Sequence, residues 1–170
     1  MVALPAMITL SEPPRLVRPT TAVRTSYLTG EQADCLLRGT DTDWLGPAST
    51  DFDAFVAARD HDKERWDVMS TVYWYVSEEH YLGTLVVRHT LTPDLAVDGG
   101  HIGYHVVAPW RRQGHATRML ELGLEKAREH GVSRALLTCV PSNEPSRRVI
   151  EKNGGVLDEQ LGNELRFWIG

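Results

Sequence analysis

Residues 106–116 read VVAPWRRQGHA, a basic turn with one glycine between a β-branched run and a long helical pattern. The first turn of a helix carries backbone N–H groups that have no intrahelical partner, and the helix dipole adds about half a positive charge there. Gly114 and Ala116 leave that backbone open to a bulky anion, and Arg111 and Arg112 add positive charge. The spacing therefore predicts either an anion-binding helix start or a surface turn with two solvated arginines.

This segment differs from two familiar phosphate-binding turns. A Walker A loop ends in Lys-Ser or Lys-Thr after spaced glycines, and a dinucleotide-binding turn needs three glycines at fixed spacing. Residues 106–116 contain a single glycine and no lysine. Any anion that binds here is therefore held in a different way.

The elements on either side of the turn follow strand and helix patterns. β-branched, aromatic or apolar runs predict strands, and apolar residues at three- and four-residue steps predict helices. Thr29 is the predicted N-cap of the first helix. The order of elements predicts a mixed α/β (α+β) domain on one sheet. The predicted strands are 15–18, 72–76, 82–88, 101–107, 135–140, 156–157 and 165–169, and the predicted helices are 29–38, 50–59, the turn to about 130, and 142–152.

Length and composition predict a single soluble domain over residues 1–170, with an irregular lead-in at 1–13. The net charge of −5 gives no electrostatic reason to expect a nucleic acid or a membrane as partner, and it mildly favours a cationic acceptor. Cys35 and Cys139 show no metal-ligand spacing, so we expect reduced thiols and no metal. Without a signal-peptide pattern or a membrane-length apolar run, we expect a cytoplasmic monomer or homodimer.

Two motifs resemble those of the Gcn5-related N-acetyltransferase (GNAT) superfamily. The core Arg111-x-x-Gly114-x-Ala116, between a strand and a helix, is similar to motif A, [Arg/Gln]-x-x-Gly-x-[Gly/Ala]. Residues 143–155 (NEPSRRVIEKNGG) follow a predicted strand and resemble the Asn-x-x-Ser/Ala helix of motif B. Because both motifs occur in the right order and on the right elements, the chain is identified as a member of this superfamily.

The likeness covers about residues 72–170 and includes GGHIGY at 99–104 and Thr138-Cys139, which are similar to one branch of the superfamily. It implies the GNAT fold, in which a mostly antiparallel central sheet has helices on both faces and is splayed between its fourth and fifth strands. Residues 72–170 would form the acyl-CoA-binding core, and residues 20–60 the substrate-facing helices and loop.

The implied activity is transfer of the acetyl group of acetyl-CoA to a primary amine of a small molecule or peptide by direct attack. An alternative is a catalytically weak acyl-CoA-binding regulatory module. By the resemblance, the pantetheine arm pairs with a strand backbone and an N–H near Val106 polarises the thioester, while the basic turn holds the pyrophosphate. The implied acetyl-CoA contacts are Tyr104, His105, Val106, Val107, Arg111, Arg112, Gln113, Gly114, His115, Ala116, Thr117, Asn143 and Ser146.

The groups that would move protons are left open by the sequence. Many members of the superfamily carry a tyrosine seven residues after the motif B asparagine, whereas here that position is Ile150, which cannot donate a proton. Tyr104 and Cys139 are candidates for the acid, although a cysteine in an apolar strand favours a core position. His101 and His105 are candidates for the base, and each is otherwise a structural strand histidine.

The acceptor is the least defined part of the predicted site. Trp44, with Asp41 and Asp43 beside it, offers an aromatic face and carboxylates for a cationic amine, or else anchors a solvated loop. Arg88 and His89 end a predicted strand that approaches the site, where the arginine would hold a carboxylate of the acceptor. Trp44, Arg88 and His89 are therefore the candidate substrate residues.

Overall fold

A computed structural model describes residues 8–170 of the chain. Residues 1–7 of the predicted irregular lead-in lie outside the described residues, and 8–13 contain no helix or strand. No helix in the described part has both the length and the apolarity needed to cross a bilayer.

The described part of the chain contains six helices and eight strands. Short 3-10 turns at Thr21–Val23, Asp43–Leu45 and Ala108–Trp110 precede three of the helices. The helices are α1 (Arg24–Arg38), α2 (Gly46–Thr50), α3 (Phe52–Ala57), α4 (Pro93–Val97), α5 (His115–Glu129) and α6 (Glu144–Lys152). The strands are β1 (Arg15–Val17), β2 (Lys63–Arg65), β3 (Val68–Ser77), β4 (His80–Arg88), β5 (Ile102–Val106), β6 (Ala135–Cys139), β7 (Val156–Leu161) and β8 (Glu164–Ile169).

All of the strand pairs are antiparallel. One sheet has the order β1-β3-β4-β5, and β2 pairs with the first residues of β3 on the same edge as β1. The second sheet has the order β6-β8-β7. The mixed α/β architecture predicted from the sequence is confirmed, but the strands form two sheets instead of the single sheet predicted.

The two sheets touch near the start of β5 and are not paired beyond it. The N–H of His101 donates to the carbonyl of Leu136 at 2.8 Å, and the N–H of Gly99 donates to Oγ1 of Thr138 at 2.9 Å. No ladder joins β5 to β6 in residues 8–170, so the sheet opens toward Val106. This is the predicted splay between the fourth and fifth strands; the short β2, which the sequence pattern missed, shifts their numbers to five and six.

Helices cover both faces of the larger sheet, as predicted. On one face α1 packs through Tyr27, whose ring stacks on Trp74 with centroids 4.6 Å apart. On the other face α5 approaches closely at Gly123, where an added Cβ would lie 2.4 Å from a methyl group of Leu85. The close approach lets α5 seal the core under β4, and it fixes the position of the α5 N-terminus relative to β5.

The first helix begins one turn earlier than the sequence predicts. Thr29 lies inside α1, because its hydroxyl donates back to the carbonyl of Thr25 at 2.8 Å instead of capping the helix. The helix is preceded by the 3-10 turn that Thr20 caps through the N–H of Ala22. The extra turn brings Tyr27 onto the sheet and places the middle of α1 over β5.

Candidate active site

A cleft of about 860 Å³ opens where the sheets separate. We call it the donor cleft; it lies between the end of β5, the basic turn, the start of α5 and one side of α6. Its walls combine backbone, small side chains and basic groups, which suits a long anionic ligand. The lining residues are Tyr104, His105, Val106, Arg111, Arg112, Gly114, Ala116, Thr117, Asn143, Pro145, Ser146, Arg148, Val149 and Lys152.

The start of α5 presents its backbone to the donor cleft. Gly114 is the N-cap residue, in the left-handed region with φ of 82°, and no atom lies within 4 Å of where its Cβ would be. The open N–H groups of the first helical turn therefore face space that an anion can enter. Arg148 and Lys152, one turn apart on α6, add positive charge across the cleft; the sequence pattern did not single them out.

Arg111 holds the turn in place. Its Nε donates to the carbonyl oxygen of Val106 at 2.8 Å, and its Nη2 pairs with the buried carboxylate of Asp34 in α1. Asp34 also pairs with Arg38 at 2.8 Å. The guanidinium of Arg111 is thus held by α1 and β5, and its positive charge is balanced by Asp34. Arg148 is also paired, with Glu144 of the same helix.

Two other residues of the turn point their side chains away from the cleft. Gln113 donates to the carbonyl of Pro109 at 3.3 Å. The ring of His115 turns inward between Trp110 and Tyr75, with centroids 5.9 and 6.1 Å away, and burial lowers its pKa. Both residues can meet a ligand only through their backbone.

The register of β5 determines which of its backbone groups face the split. Hydrogen bonds from Arg88 N–H to His101 O (2.7 Å) and from Val107 N–H to Leu82 O (3.0 Å) belong to the β4 side. Backbone groups alternate sides along a strand, so the N–H of His105, two residues before Val107, also faces β4. The N–H groups of Tyr104 and Val106 face the split.

A hydroxyl pair links β5 to α6 inside the donor cleft. The OH of Tyr104 lies 2.9 Å from Oγ of Ser146, whose N–H is capped by Oδ1 of Asn143 at 3.3 Å. Burial raises the pKa of Tyr104 to about 12, so its phenol stays protonated at neutral pH. Ile150 is fully buried, and burial raises the pKa of the Cys139 thiol. The phenol of Tyr104 therefore reaches from β5 to α6, a helix that contains no tyrosine.

A second cleft of about 820 Å³ lies on the α1 face of the sheet. We call it the acceptor cleft; it shares Tyr104 and His105 with the donor cleft, so the two spaces meet at these adjacent residues. The remaining lining residues are Tyr27, Glu31, Arg38, Trp44, Arg59, His61, Lys63, Arg65, Trp66, Ser70, Val72, Trp74, Tyr81, Thr84, Val86 and Gly103.

A histidine–carboxylate pair stands at this meeting point. Nε2 of His105 lies 3.3 Å from each carboxylate oxygen of Glu31, which is only 4% exposed. The OH of Tyr81 donates to Oε1 of the same carboxylate at 2.7 Å. The sequence pattern missed Glu31; the available signal was its spacing of four residues from Tyr27 and Cys35, on the buried side of α1.

The remaining candidates are placed apart from this pair, except for Trp44, which lines the acceptor cleft. His101 accepts the Leu136 N–H at Nδ1 (2.9 Å) between the two sheets, where burial lowers its pKa. Arg88 is buried and donates to the carbonyls of Gly99 and Gly100. His89 lies on the α5 face, stacked on His130 at 4.1 Å, away from both clefts.

The lowered pKa of His89 makes the stability of the fold depend on pH. Burial lowers the pKa of His89, and the neighbouring His130 lowers it further. The unfolded chain binds a proton near pH 6.5 while folded His89 resists it, so its contribution is present above 6.5 and is lost as pH falls below it. We expect the melting temperature to fall from pH 7.5 to 5.5, and to fall less in His89→Gln. Equal slopes for both proteins would contradict this role.

Comparisons with known proteins show the family and the fold of the chain. The sequence model of the Acetyltransferase (GNAT) family matches residues 38–155. Mycobacterium smegmatis RimJ in complex with CoA-disulfide has a TM-score of 0.63 at 19% identity over 93% of this chain and 85% of its own. The microcin C7 self-immunity acetyltransferase MccE, in complex with acetyl-CoA and AMP, has 0.59 at 16% over 99% and 98%.

A third similar structure is the Salmonella typhimurium acetyltransferase that modifies the N-terminal serine of ribosomal protein L7/L12. It has a TM-score of 0.57 at 14% identity over 95% of this chain and 96% of that one. At these identities the structural likeness shows the shared fold. No curated protein sequence matches the chain.

Proposed function

Because the chain belongs to the GNAT family of acetyl-CoA-dependent N-acetyltransferases, we propose that it transfers the acetyl group to a primary amine by direct attack. One observation carries this proposal: the donor cleft and the acceptor cleft meet at Tyr104 and His105. A thioester reaching the end of the donor cleft would meet an amine there in a geometry that favours reaction. In this proposal residues 1–170 form a single acetyltransferase domain, and residues 72–170 bind acetyl-CoA.

Acetyl-CoA would bind along the donor cleft with its pyrophosphate at the start of α5. The backbone of residues 112–117 supplies N–H donors, and Arg112, Arg148 and Lys152 supply charge. The pantetheine arm would take the place of a strand beside β5, bonding to the free backbone groups of Tyr104. Asn143 uses its Oδ1 to cap α6, which leaves its amide NH₂ to donate to the arm.

The thioester carbonyl would accept a hydrogen bond from the N–H of Val106. This donor is held in place because Arg111 binds the carbonyl of the same residue and ties it to α1. Fixed N–H groups at a developing oxyanion are a large source of rate enhancement in acyl transfer. The rigidity of this donor is therefore part of the proposed mechanism.

His105 is the proposed base. The amine nitrogen attacks the carbonyl carbon, the C–S bond breaks, and the amine proton passes directly or through one water to Nδ1 of His105, because the N–H at Nε2 donates to Glu31. The buried carboxylate of Glu31 orients the imidazole and stabilises its protonated form. Tyr104 protonates the departing thiolate from the other side of the strand, and both side chains recover their starting states by exchange with solvent.

Direct attack is favoured over an acetylated enzyme. Both cysteines, Cys35 and Cys139, are buried, and burial raises the pKa of the Cys139 thiol and disfavours the nucleophilic thiolate. Incubating the enzyme with acetyl-CoA alone should leave its mass unchanged. Acetylation of Cys139 on the time scale of turnover would instead indicate a covalent route.

Tyr104→Phe should lower kcat about tenfold, a modest effect because a thiolate with a pKa near 8.5 is already a tolerable leaving group. Since the pKa of Tyr104 is raised to about 12, its ionisation should cause no loss of activity below about pH 10. The measurements are kcat by release of free thiol and the Kd for acetyl-CoA, which should not change. Tyr75→Phe, which removes a hydroxyl outside both clefts, is the matched control.

A panel of primary amines tests the activity itself. Acetyl-CoA and enzyme are combined with amino-acid amides, small amines and short peptides, and release of thiol and acetylated product are both measured. Turnover of any amine supports the proposal. Tight binding of acetyl-CoA without product from any amine would favour the catalytically weak regulatory module, against which the pairing of His105 with Glu31 argues.

A further inference from the structure

The acceptor cleft is basic although the chain as a whole carries a net charge of −5. Four of its lining residues are Arg38, Arg59, Lys63 and Arg65, whereas Glu31 is its only carboxylate among the described residues. Glu31 is already engaged with Tyr81 and His105. The local charge therefore opposes the net charge, and it opposes the expectation of a cationic acceptor.

Within residues 8–170, three of these cations lack an anionic partner. Arg38 pairs with Asp34, but no carboxylate in residues 8–170 lies at ion-pair distance from Arg59, Lys63 or Arg65. Clustered cations of this kind repel one another and raise the local positive potential.

The pKa values of two nearby arginines are lowered by burial and also by this positive potential. Burial lowers the pKa values of Arg59 and Arg88, and the charge of Arg65 lowers both further. Arg59 is held in place at the wall, its guanidinium 3.5 Å from the centre of the Phe55 ring. A bound anion would relieve this repulsion, which gives the cleft a preference for negatively charged ligands.

A buried hydroxyl lies in the middle of the basic region. Ser70 is 2% exposed and lines the cleft, and its Oγ has no hydrogen-bond partner in the part of the chain that the structure describes. On β3 it stands directly between Lys63 of β2 and Arg88 of β4. Buried hydroxyls are nearly always bonded, so a ligand oxygen at this row would supply a missing partner.

Two exposed tryptophans flank the same cleft. Trp44 is 44% exposed and Trp66 is 47% exposed, both unusually large apolar surfaces to leave in water. Trp66 sits at the tip of the two-residue turn that joins β2 to β3, over the guanidinium groups of Arg65 (4.3 Å) and Arg88 (4.6 Å). A flat group on the ligand could stack on either ring.

The strand register gives the length of the ligand. His105 pairs with Thr84, which pairs with Trp74, and Ser70 precedes Trp74 by four residues on β3. At about 3.3 Å per residue and about 4.8 Å between strands, Ser70 lies roughly 13 Å along the strands and two strands across from the proposed base, or about 16 Å in all. A single amino acid or small amine is too short to span this distance.

On the basis of the proposed acetyl transfer, we propose that the acceptor is an elongated primary amine with an anionic group at its far end. Its amine lies at His105, and its phosphate or carboxylate lies about 16 Å away, between Lys63, Arg65 and Ser70. Trp44 and Trp66 hold the flat or apolar part between them.

Matched peptides test this assignment. The acceptors are Ala-Ala-Ala-Glu, Ala-Ala-Ala-phosphoserine and a lysine peptide, Ala-Ala-Ala-trimethyllysine, whose side chain is cationic but offers no acceptor amine. All are amidated so that they differ only in the fourth side chain, with alanine amide as a short neutral reference. We expect kcat/KM to be at least about tenfold higher for each acidic peptide than for the lysine peptide, as a single charge–charge contact in a partly screened cleft allows. A larger value for phosphoserine than for glutamate identifies phosphate as the preferred anion.

A charge reversal makes the test independent of general damage to the enzyme. In Arg65→Glu the ratio of kcat/KM for the glutamate peptide to that for the lysine peptide should fall by about 100-fold or more, because attraction becomes repulsion at one position. Arg128→Glu makes the same change at an exposed site on α5, outside the acceptor cleft, and should keep the wild-type ratio.

The outcomes separate this inference from the acetyl transfer on which it rests. Equal rates for all the peptides, or an unchanged ratio in Arg65→Glu, would overturn the anionic acceptor while leaving acetyl transfer in place. Failure to acetylate any of the peptides and alanine amide, with acetyl-CoA still bound, would overturn the proposed function first.

Discussion

Replacing Gly114 with aspartate is expected to weaken acetyl-CoA binding by about 100-fold or more, or about 3 kcal/mol. Gly114 lines the donor cleft and no protein atom lies within 4 Å of where its Cβ would be, so the new carboxylate would stand beside the N–H groups proposed to bind the pyrophosphate. Two negative charges at the start of α5 would compete for the same N–H groups. The direct measurement is the Kd for acetyl-CoA by calorimetry, which does not require a known acceptor.

The matched control is Gly131→Asp, just beyond the other end of α5. Gly131 has φ of 84° and Gly114 has φ of 82°, and both have open space where a Cβ would lie, so the two substitutions carry the same backbone cost. Gly131→Asp should lower the melting temperature and keep the wild-type Kd. Unchanged affinity in Gly114→Asp, or an equal loss in both variants, would remove the pyrophosphate from this turn.

The second large effect is expected from His105→Ala, which should lower kcat by about 100- to 1,000-fold at neutral pH, the range for loss of a general base. Glu31→Gln should lower kcat less, about tenfold, because glutamine still accepts a hydrogen bond but no longer stabilises a protonated imidazole. Both variants should bind acetyl-CoA with unchanged Kd, since the imidazole faces the acceptor cleft. Kinetics with saturating acceptor separate kcat from KM.

The control for this pair is His101→Gln on the same sheet. His101 accepts a backbone hydrogen bond from Leu136 and lies outside both clefts, so its loss should lower the melting temperature but change kcat by less than about threefold. A kcat for His105→Ala within threefold of the wild type would mean that water alone removes the amine proton.

The parts of the fold that the sequence predicts are those with strong local patterns. The long helix α5 has regular apolar spacing and the basic turn before it, so both could be located without tertiary information. The strand β2 could not, because Lys63-Glu64-Arg65 has no strand-like side chains and is extended only through its pairing with β3. The sequence also predicts the wrong start for α1, because Thr29 has the side chain of a typical N-cap residue although it lies within the helix.

The candidate site divides in the same way. The basic turn lies within one continuous segment, residues 106–116, so its capacity to bind an anion could be predicted from residues that are neighbours in the sequence. The histidine–carboxylate pair joins His105 to Glu31, 74 positions earlier in the sequence. The hydroxyl pair joins Tyr104 to Ser146, 42 positions later. Contacts at such separations depend on the final packing, so a single sequence leaves each member indistinguishable from an ordinary structural residue.

The placement of Tyr104 and His105 next to each other on β5 has a consequence for how this enzyme can vary. Successive side chains on a strand point to opposite faces, so the proposed acid and the proposed base lie on opposite sides of the same backbone. Inserting or deleting one residue before them in β5 would exchange their sides and move the Val106 amide out of the split. Homologous enzymes can therefore replace side chains along β5 but should conserve its length.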